Sequence, residues 1–295
     1  MRLEGRKGGM MSNITSEEIA ATKPDARSGA ALLEQAENIA ANKANLPVGR
    51  AFALAVLAGM MIGAGASFML LVKSDSALPF AASQVLGGLC FSLGLICVIV
   101  AGAELFTGNA LMVAGACDKK CAWSAMLKNW VVVYVGNLVG SLLLVAIMVG
   151  ANFGGMNGGE VGNAMVNVAY SKISLPAHVI FFRGIMCNWL VCLAVWMGFA
   201  GRTVIDKVFT TIFPVMAFVA MGFEHCVANM FFLPMGIASL AVSGYSGAGD
   251  VAAIAQALTA GGAAYNIGLA TLGNIVGGAV FVSLLYWISY RKSAK

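Results

Sequence analysis

Polar and apolar positions along this chain segregate into long blocks rather than alternating at short range. The first forty or so residues are polar, and beyond them apolar runs are separated by short polar or glycine-rich stretches. A helix needs roughly 20 apolar residues to cross about 30 Å of hydrocarbon. The blocks therefore predict six spans: Ala51 to Val72, Phe80 to Ala103, Trp130 to Ala151, Ile173 to Ala200, Val208 to Met221 with a continuation to Val242, and Tyr265 to Tyr290. Ahead of them, Leu32, Leu33, Ala36, Ile39 and Ala40 recur at helical spacing between Ser28 and Asn42. That spacing predicts a short amphipathic helix at a membrane face. The expected organisation is an arm over 1–46, a membrane domain over 47–290 with halves at about 47–151 and 173–290, and a tail over 291–295. The stretch Met1 to Met10 carries no clear element, with Met10 and Met11 offering alternative starts. Nothing in the first forty residues resembles a cleaved secretory signal, because they are polar and the first apolar run is long.

Two short patterns recur in the same order. Gly102-Ala103-Glu104-Leu105-Phe106-Thr107-Gly108-Asn109 and Gly222-Phe223-Glu224-His225-Cys226-Val227-Ala228-Asn229 both read G-x-E-x-x-x-x-N before apolar sequence resumes. Gly136-Asn137-Leu138-Val139-Gly140 is matched by Gly273-Asn274-Ile275-Val276-Gly277. Two halves of three spans each must enter the membrane from opposite sides, which makes an inverted repeat. The fold class is then an all-α integral membrane protein with six transmembrane helices, two of them broken. Irregular backbone at membrane depth survives only when buried in protein or lining a water-filled cavity, so the broken helices are expected to line a pathway. Their half-helices, starting near Asn109 and Asn229, would turn partly positive N-terminal ends toward the centre and favour an anion. The paired glycines at 136/140 and 273/277 permit close helix approach, expected inside the bundle.

Composition sharpens this picture. The chain is 60% hydrophobic and 11% charged, against about a quarter charged in soluble domains. Fifteen of the 18 Lys and Arg residues fall before the first span (residues 1–50), in the tail and in the segments 110–128 and 201–207. The positive-inside rule then places both termini in the cytoplasm, in a multi-pass protein of the plasma (inner) membrane. Of the acidic residues only Glu104 and Glu224 lie in or against the spans, where an ionised carboxylate costs at least about 2.5 kcal/mol. A structural polar network and contact with substrate remain equal readings for them. The seven cysteines lie mostly in apolar runs and serve there as small apolar residues; no disulfide, metal site or cofactor is expected. Cys117 and Cys121 are the polar-flanked pair, without nearby His or Cys partners for zinc. No Ser/His/Asp set or nucleotide loop points to an enzyme, and no nucleic-acid partner is expected. His178 reads as an interfacial residue, and Arg183 falls inside the fourth span with no partner evident in the sequence.

From Pro47 to the tail the chain resembles the formate/nitrite transporter family. The resemblance rests on Cys90-Phe91-Ser92-Leu93-Gly94-Leu95 continuing to Ala103-Glu104-Leu105-Phe106-Thr107, on Asn188-Trp189-Leu190-Val191-Cys192-Leu193-Ala194-Val195-Trp196, and on Gly222 to Phe231. It implies an aquaporin-like protomer in a homopentamer, with one pore per subunit for small anions of weak acids such as formate, nitrite or hydrosulfide. It also implies hydrophobic constrictions at Phe91, Leu95 and Phe218, with Thr107 and His225 in the two helix-breaking loops. Lys172 would stand on the outer side and Asn188 near the central His225, with Glu224 and Asn229 beside it in the relay. His exchanges protons near neutral pH, so His225 is expected to protonate the anion for neutral passage. A related N-terminal helix implies either a pH gate or a plain surface anchor. Formate is the first expectation, although Thr107-Gly108-Asn109 departs from the Thr-Ser pairing of formate members and leaves nitrite and hydrosulfide open. A neutral-solute pore is a further alternative, but Asn-Pro-Ala signatures are absent from both loops.

Overall fold

The computed structural model describes residues 26–291. The stretch Met1 to Met10, the arm before residue 26 and the tail after 291 lie outside the described residues. Helix α1 covers Ala30–Ala44 and α2 Val48–Lys73. Helix α3 covers Phe80–Ala101, the short apolar α4 Phe106–Cys117, and α5 Trp123–Gly150. In the second half, α6 is Glu160–Ile173, α7 Ala177–Ala200, α8 Val204–Ala220, and α9 Cys226–Ala241. The short α10, Val251–Ala257, precedes α11, Ala260–Tyr290. Five of these, α2, α3, α5, α7 and α11, are long and apolar enough to cross a membrane. The expected fifth span is divided between α8 and α9, each shorter than that.

Local chemistry sets the boundaries. Pro47, Pro79 and Pro176 stand immediately before α2, α3 and α7 with ψ of 137°, 146° and 147°. Proline has its φ preset for a helix start and no N–H to leave unpaired there. The fourth span was expected from Ile173, but Ile173 ends α6 and the chain re-enters helix at Ala177. Pro176 forces this, since the residue before proline is pushed out of the helical region. The third helix begins at Trp123, seven residues before the expected Trp130. Helices α3 and α8 stop at glycines in the left-handed region, Gly102 (φ 81°) and Gly222 (φ 71°). That conformation is a common helix terminator and is nearly free of strain only for glycine.

The glycine pairs do pack inside the bundle. A Cβ on Gly140 would strike the Val56 carbonyl oxygen, and one on Gly277 the Ile185 carbonyl oxygen. Gly136 and Gly273 sit in the same way over the Phe52 and Phe181 carbonyls. The α2–α5 and α7–α11 crossings are therefore the same packing used twice.

Helix α1 lies against α4, burying Leu33, Ala36, Glu37 and Ala40; a Cβ on Gly115 would meet Ala40 Cβ at 2.5 Å. Its apolar stripe thus faces protein rather than lipid alone. Burial raises the Glu37 carboxyl above the usual carboxylate range, helped by the charge of Asp118, which shares a hydrogen bond with it, and by Glu34, and opposed by Lys120. An acid whose pKa rises on docking favours the docked state fully below its free value and less as pH climbs through the raised one. Hydrogen-exchange protection across residues 30–44, corrected for the base-catalysed intrinsic rate, should therefore be greatest in acid and fall toward neutral pH. Glu37→Gln should flatten that trend; an unchanged profile in the variant would remove Glu37 as its cause.

Candidate functional site

The two G-x-E loops are held by side chains that repeat bond for bond. In the first half Lys43 Nζ lies 2.6 Å from Glu104 Oε1. Asn109 Nδ2 donates to Glu104 Oε2 (2.8 Å) and to Asn129 Oδ1 (2.8 Å), and Asn129 Nδ2 returns to the Lys43 carbonyl (3.2 Å). In the second half Lys172 Nζ lies 2.9 Å from Glu224 Oε1. Asn229 Nδ2 donates to Glu224 Oε2 (2.6 Å) and to Asn266 Oδ1 (2.7 Å), and Asn266 Nδ2 returns to the Lys172 carbonyl (3.0 Å). Each ring closes on itself, so both buried carboxylates have a cation and an amide. The rings also pair α1 with α6, which carries the repeat into elements before each half's first span.

A second pair of asparagines clamps the loops. Asn137 accepts from the Phe106 N–H (2.9 Å) and donates to the carbonyls of Ala55 (2.8 Å) and Glu104 (2.9 Å). Asn274 accepts from the Cys226 N–H (2.9 Å) and donates to those of Gly184 (2.8 Å) and Glu224 (2.9 Å). Two bonds of each clamp satisfy backbone groups freed where α3 and α8 end, as a dry interior demands, and the third anchors the loop to α2 or α7.

The half-helices start at Phe106 and Cys226, three residues earlier than expected, which places Asn109 and Asn229 inside their first turns. Several first-turn N–H groups are already taken. Asn137 and Asn274 hold the leading ones, and His225 Nδ1 accepts from Ala228 N–H (2.9 Å). The attraction of the helix ends, typically 0.3–1 kcal/mol each, is correspondingly reduced, and the side-chain cations outweigh it.

Between the loops, His225 Nε2 lies 2.9 Å from Thr107 Oγ1. Because Nδ1 accepts a backbone N–H, the neutral ring carries its hydrogen on Nε2 and donates to Thr107. Asn188 Nδ2 reaches the carbonyls of Thr107 (3.1 Å) and Asn274 (2.7 Å), tying the first loop to α11, whose Asn274 clamps the second. Phe91, Leu95 and Phe218 are buried around this bond. Phe91 meets Phe218 edge-on with centroids 5.8 Å apart, and Phe218 stacks on the His225 ring at 5.9 Å.

Two cavities approach this centre from opposite ends and share no lining residue. One, of about 580 Å³, is lined by Lys43, Arg27, Lys207, Glu104, Leu95 and Val98 among others. The other, of about 550 Å³, is lined by Lys73, Lys172, Arg183, Glu224, His225, Phe91, Phe218 and Phe232. Thus every site residue expected from the sequence gathers at the two loops or the apolar plug between the cavities. Sequence reasoning missed Lys43, Asn129, Asn266, Val98 and Phe232. Lys43 lies one residue past the amphipathic helix expected over Ser28 to Asn42 and inside the observed α1; Phe232 follows Asn229 by three positions and so shares its helix face. His178 is exposed at the start of α7.

The halves differ where chemistry is concentrated. The shared bonds align Leu105 with His225 and Gly59 with Asn188, so the titratable ring and the bridging amide come from the second half alone. Residues 30–288 match the formate/nitrite transporter family. The chain is 37% identical over 268 residues to the formate channel FocA of Escherichia coli K12, covering 89% of this chain and 94% of that one. It is 34% identical over 267 residues to the nitrite transporter NirC of Salmonella typhimurium, covering 88% and 90%. A solved pentameric formate channel with formate bound superposes with a TM-score of 0.75 at 40% identity, covering 83% of this chain and 98% of that one. These relatives are channels and transporters, not enzymes, and with its helices able to cross a membrane the chain is a multi-pass membrane protein of the formate/nitrite transporter family.

Proposed function

We propose that this protein passes small monovalent anions of weak acids across the inner membrane, formate first among them, through one pore in each subunit of a homopentamer. The observation that carries this reading is the pair of cation-lined cavities separated by an apolar plug whose polar contact is the Thr107–His225 hydrogen bond. In this reading the chain crosses six times, α8 and α9 together making the fifth passage, and both termini are cytoplasmic. The Lys43 cavity then faces the cytoplasm and the Lys172 cavity the outside. Formate is supported by the names of the FocA relatives and by the neighbour that holds formate.

The physics of the plug favours protonation. A bare carboxylate-sized ion moved into a medium of low dielectric costs on the order of 20 kcal/mol in the idealised limit, and a proton removes most of that term. Lys172, or Lys43 from the other side, draws the anion into its cavity. Phe91, Leu95 and Phe218 strip water from it and resist free ions. At the centre the anion accepts hydrogen bonds from the Thr107 hydroxyl and His225 Nε2–H. An anion that takes the Nε2 proton leaves the ring anionic unless Nδ1 gains one in the same event. The Ala228 N–H must therefore release Nδ1 for His225 to act as a true proton donor. Glu104, Glu224, Asn109 and Asn229 hold the loops and the lysines in place rather than meeting the substrate.

Uptake by proteoliposomes tests the reading, with formate, nitrite, hydrosulfide and glycerol offered separately at two pH values and empty liposomes as control. One or more of the acids should enter above control, faster at the lower pH, while glycerol does not. Entry of glycerol with exclusion of all three acids would replace the anion pathway with a neutral-solute pore.

A further inference from the structure

The inverted repeat locates one cation that its own symmetry does not account for. Glu104 N–H donates to the Leu54 carbonyl at 3.3 Å, and Glu224 N–H donates to the Arg183 carbonyl at 3.3 Å. The two residues hold equivalent places on α2 and α7, yet one is apolar and the other is a guanidinium lining the Lys172 cavity. Arg183 spends one hydrogen bond on protein, from Nη1 to the Gly222 carbonyl (3.2 Å). That contact is not what makes the turn. Gly102, the counterpart of Gly222, adopts the same left-handed conformation with open space beside it.

The charge of Arg183 is also unspent. Glu224 is the acid lining this cavity, and its two carboxylate oxygens are held by Lys172 and Asn229. Among the described residues the ion pairs are Lys43–Glu104 and Lys172–Glu224, so Arg183 has no carboxylate partner there. A guanidinium carries five N–H donors in a planar fork matched to two oxygens of one anion, and here one donor is engaged.

Resting on the reading of this chain as a weak-acid anion pathway, we propose that Arg183 anchors an anion-binding subsite in the outer cavity. It takes a small oxyanion through its free donors before the anion reaches the apolar plug, and it makes the two mouths of the pathway unequal. Lys172, paired with Glu224 and lining the same cavity, supplies a second cationic donor. At the equivalent place in the other half stands Leu54; the guanidinium of Arg27, which lines the cytoplasmic cavity and donates to the Phe199 carbonyl (3.1 Å), comes from the chain ahead of α1.

The test uses full-length protein reconstituted in one orientation, with labelled formate as the probe added to either side. Arg183→Gln keeps a donor for the Gly222 carbonyl but removes the charge. It should raise the half-saturating formate concentration on the outer side by about threefold or more, the scale of one partly screened charge. The maximal rate and the half-saturation on the inner side should stay near wild type. Arg183→Lys should recover part of the outer effect, and Arg183→Leu should resemble Gln. An unchanged outer half-saturation in Arg183→Gln, or an equal change on both sides, overturns the subsite. Failure of all three variants to assemble overturns it too, since that marks Arg183 as a structural anchor. If wild-type protein carries no formate, nitrite or hydrosulfide, the transport reading fails first, which is a different result from a wild type that transports and an Arg183→Gln that matches it.

Discussion

His225→Asn is expected to lower formate flux at acidic pH by about 10- to 100-fold and to flatten its dependence on pH, while the protein still assembles. The factor follows from one hydrogen bond to a charged or charge-developing group, about 1.5–3 kcal/mol, with each 1.4 kcal/mol worth tenfold. Asparagine can take over at the helix start, because its Oδ1 can accept the Ala228 N–H that His225 Nδ1 now holds at 2.9 Å. It cannot exchange a proton near neutral pH. His225→Phe removes both functions, leaves a buried N–H without a partner, and should cost a further 1–2 kcal/mol or about that in stability. Initial uptake rates between about pH 5 and 8 for the three proteins decide the matter. If His225→Asn transports with the slope of wild type, His225 is only the cap of α9, and the proton comes from water in the cavities.

Lys172→Met should be the most damaging single change to stability at the periphery of the site. It strips the cation from Glu224, whose side chain is 1% exposed. Removing one partner of a buried pair costs about 3–5 kcal/mol because the other charge remains. The double variant Lys172→Met with Glu224→Gln should be more stable than the single one, since the amide can still pair with Asn229 and no charge is left behind. Thermal unfolding in detergent, read side by side for the two variants, provides the check. A double variant less stable than the single would mean that the carboxylate itself, not its pairing, holds the loop. The same pair of changes at Lys43 and Glu104 should have a smaller effect, because those side chains are 22% and 8% exposed and water can take up part of the loss.

The ion pairs also show why much of the site could not be read along the chain. Glu104 and Glu224 stand out in sequence because acids are rare in apolar runs, and their matched spacing to Asn109 and Asn229 marks a repeat. Their cations do not stand out. Lys43 lies 61 positions from Glu104 and Lys172 lies 52 from Glu224, on amphipathic helices where a lysine on the polar face is unremarkable. Asn137 and Asn274 were visible as parts of a repeated motif, but their task, holding each broken loop at two backbone groups and tying it to a third on α2 or α7, exists only once α5 and α11 cross the loops.

What the sequence by itself determined is the part governed by solvent and local geometry. Long apolar blocks can be satisfied only in lipid, prolines and left-handed glycines start and stop the helices, and two matched motifs offset by three spans call for opposite orientations. The close glycine crossings follow from the same local logic. Tertiary structure decided the rest: which lysine neutralises which buried carboxylate, which tautomer His225 adopts by accepting the Ala228 N–H, and that Arg183 occupies the place Leu54 holds in the other half. These depend on groups brought together from distant helices, where burial makes each unpaired charge or N–H costly and so selects the partner. No pattern of neighbours along the chain records that selection.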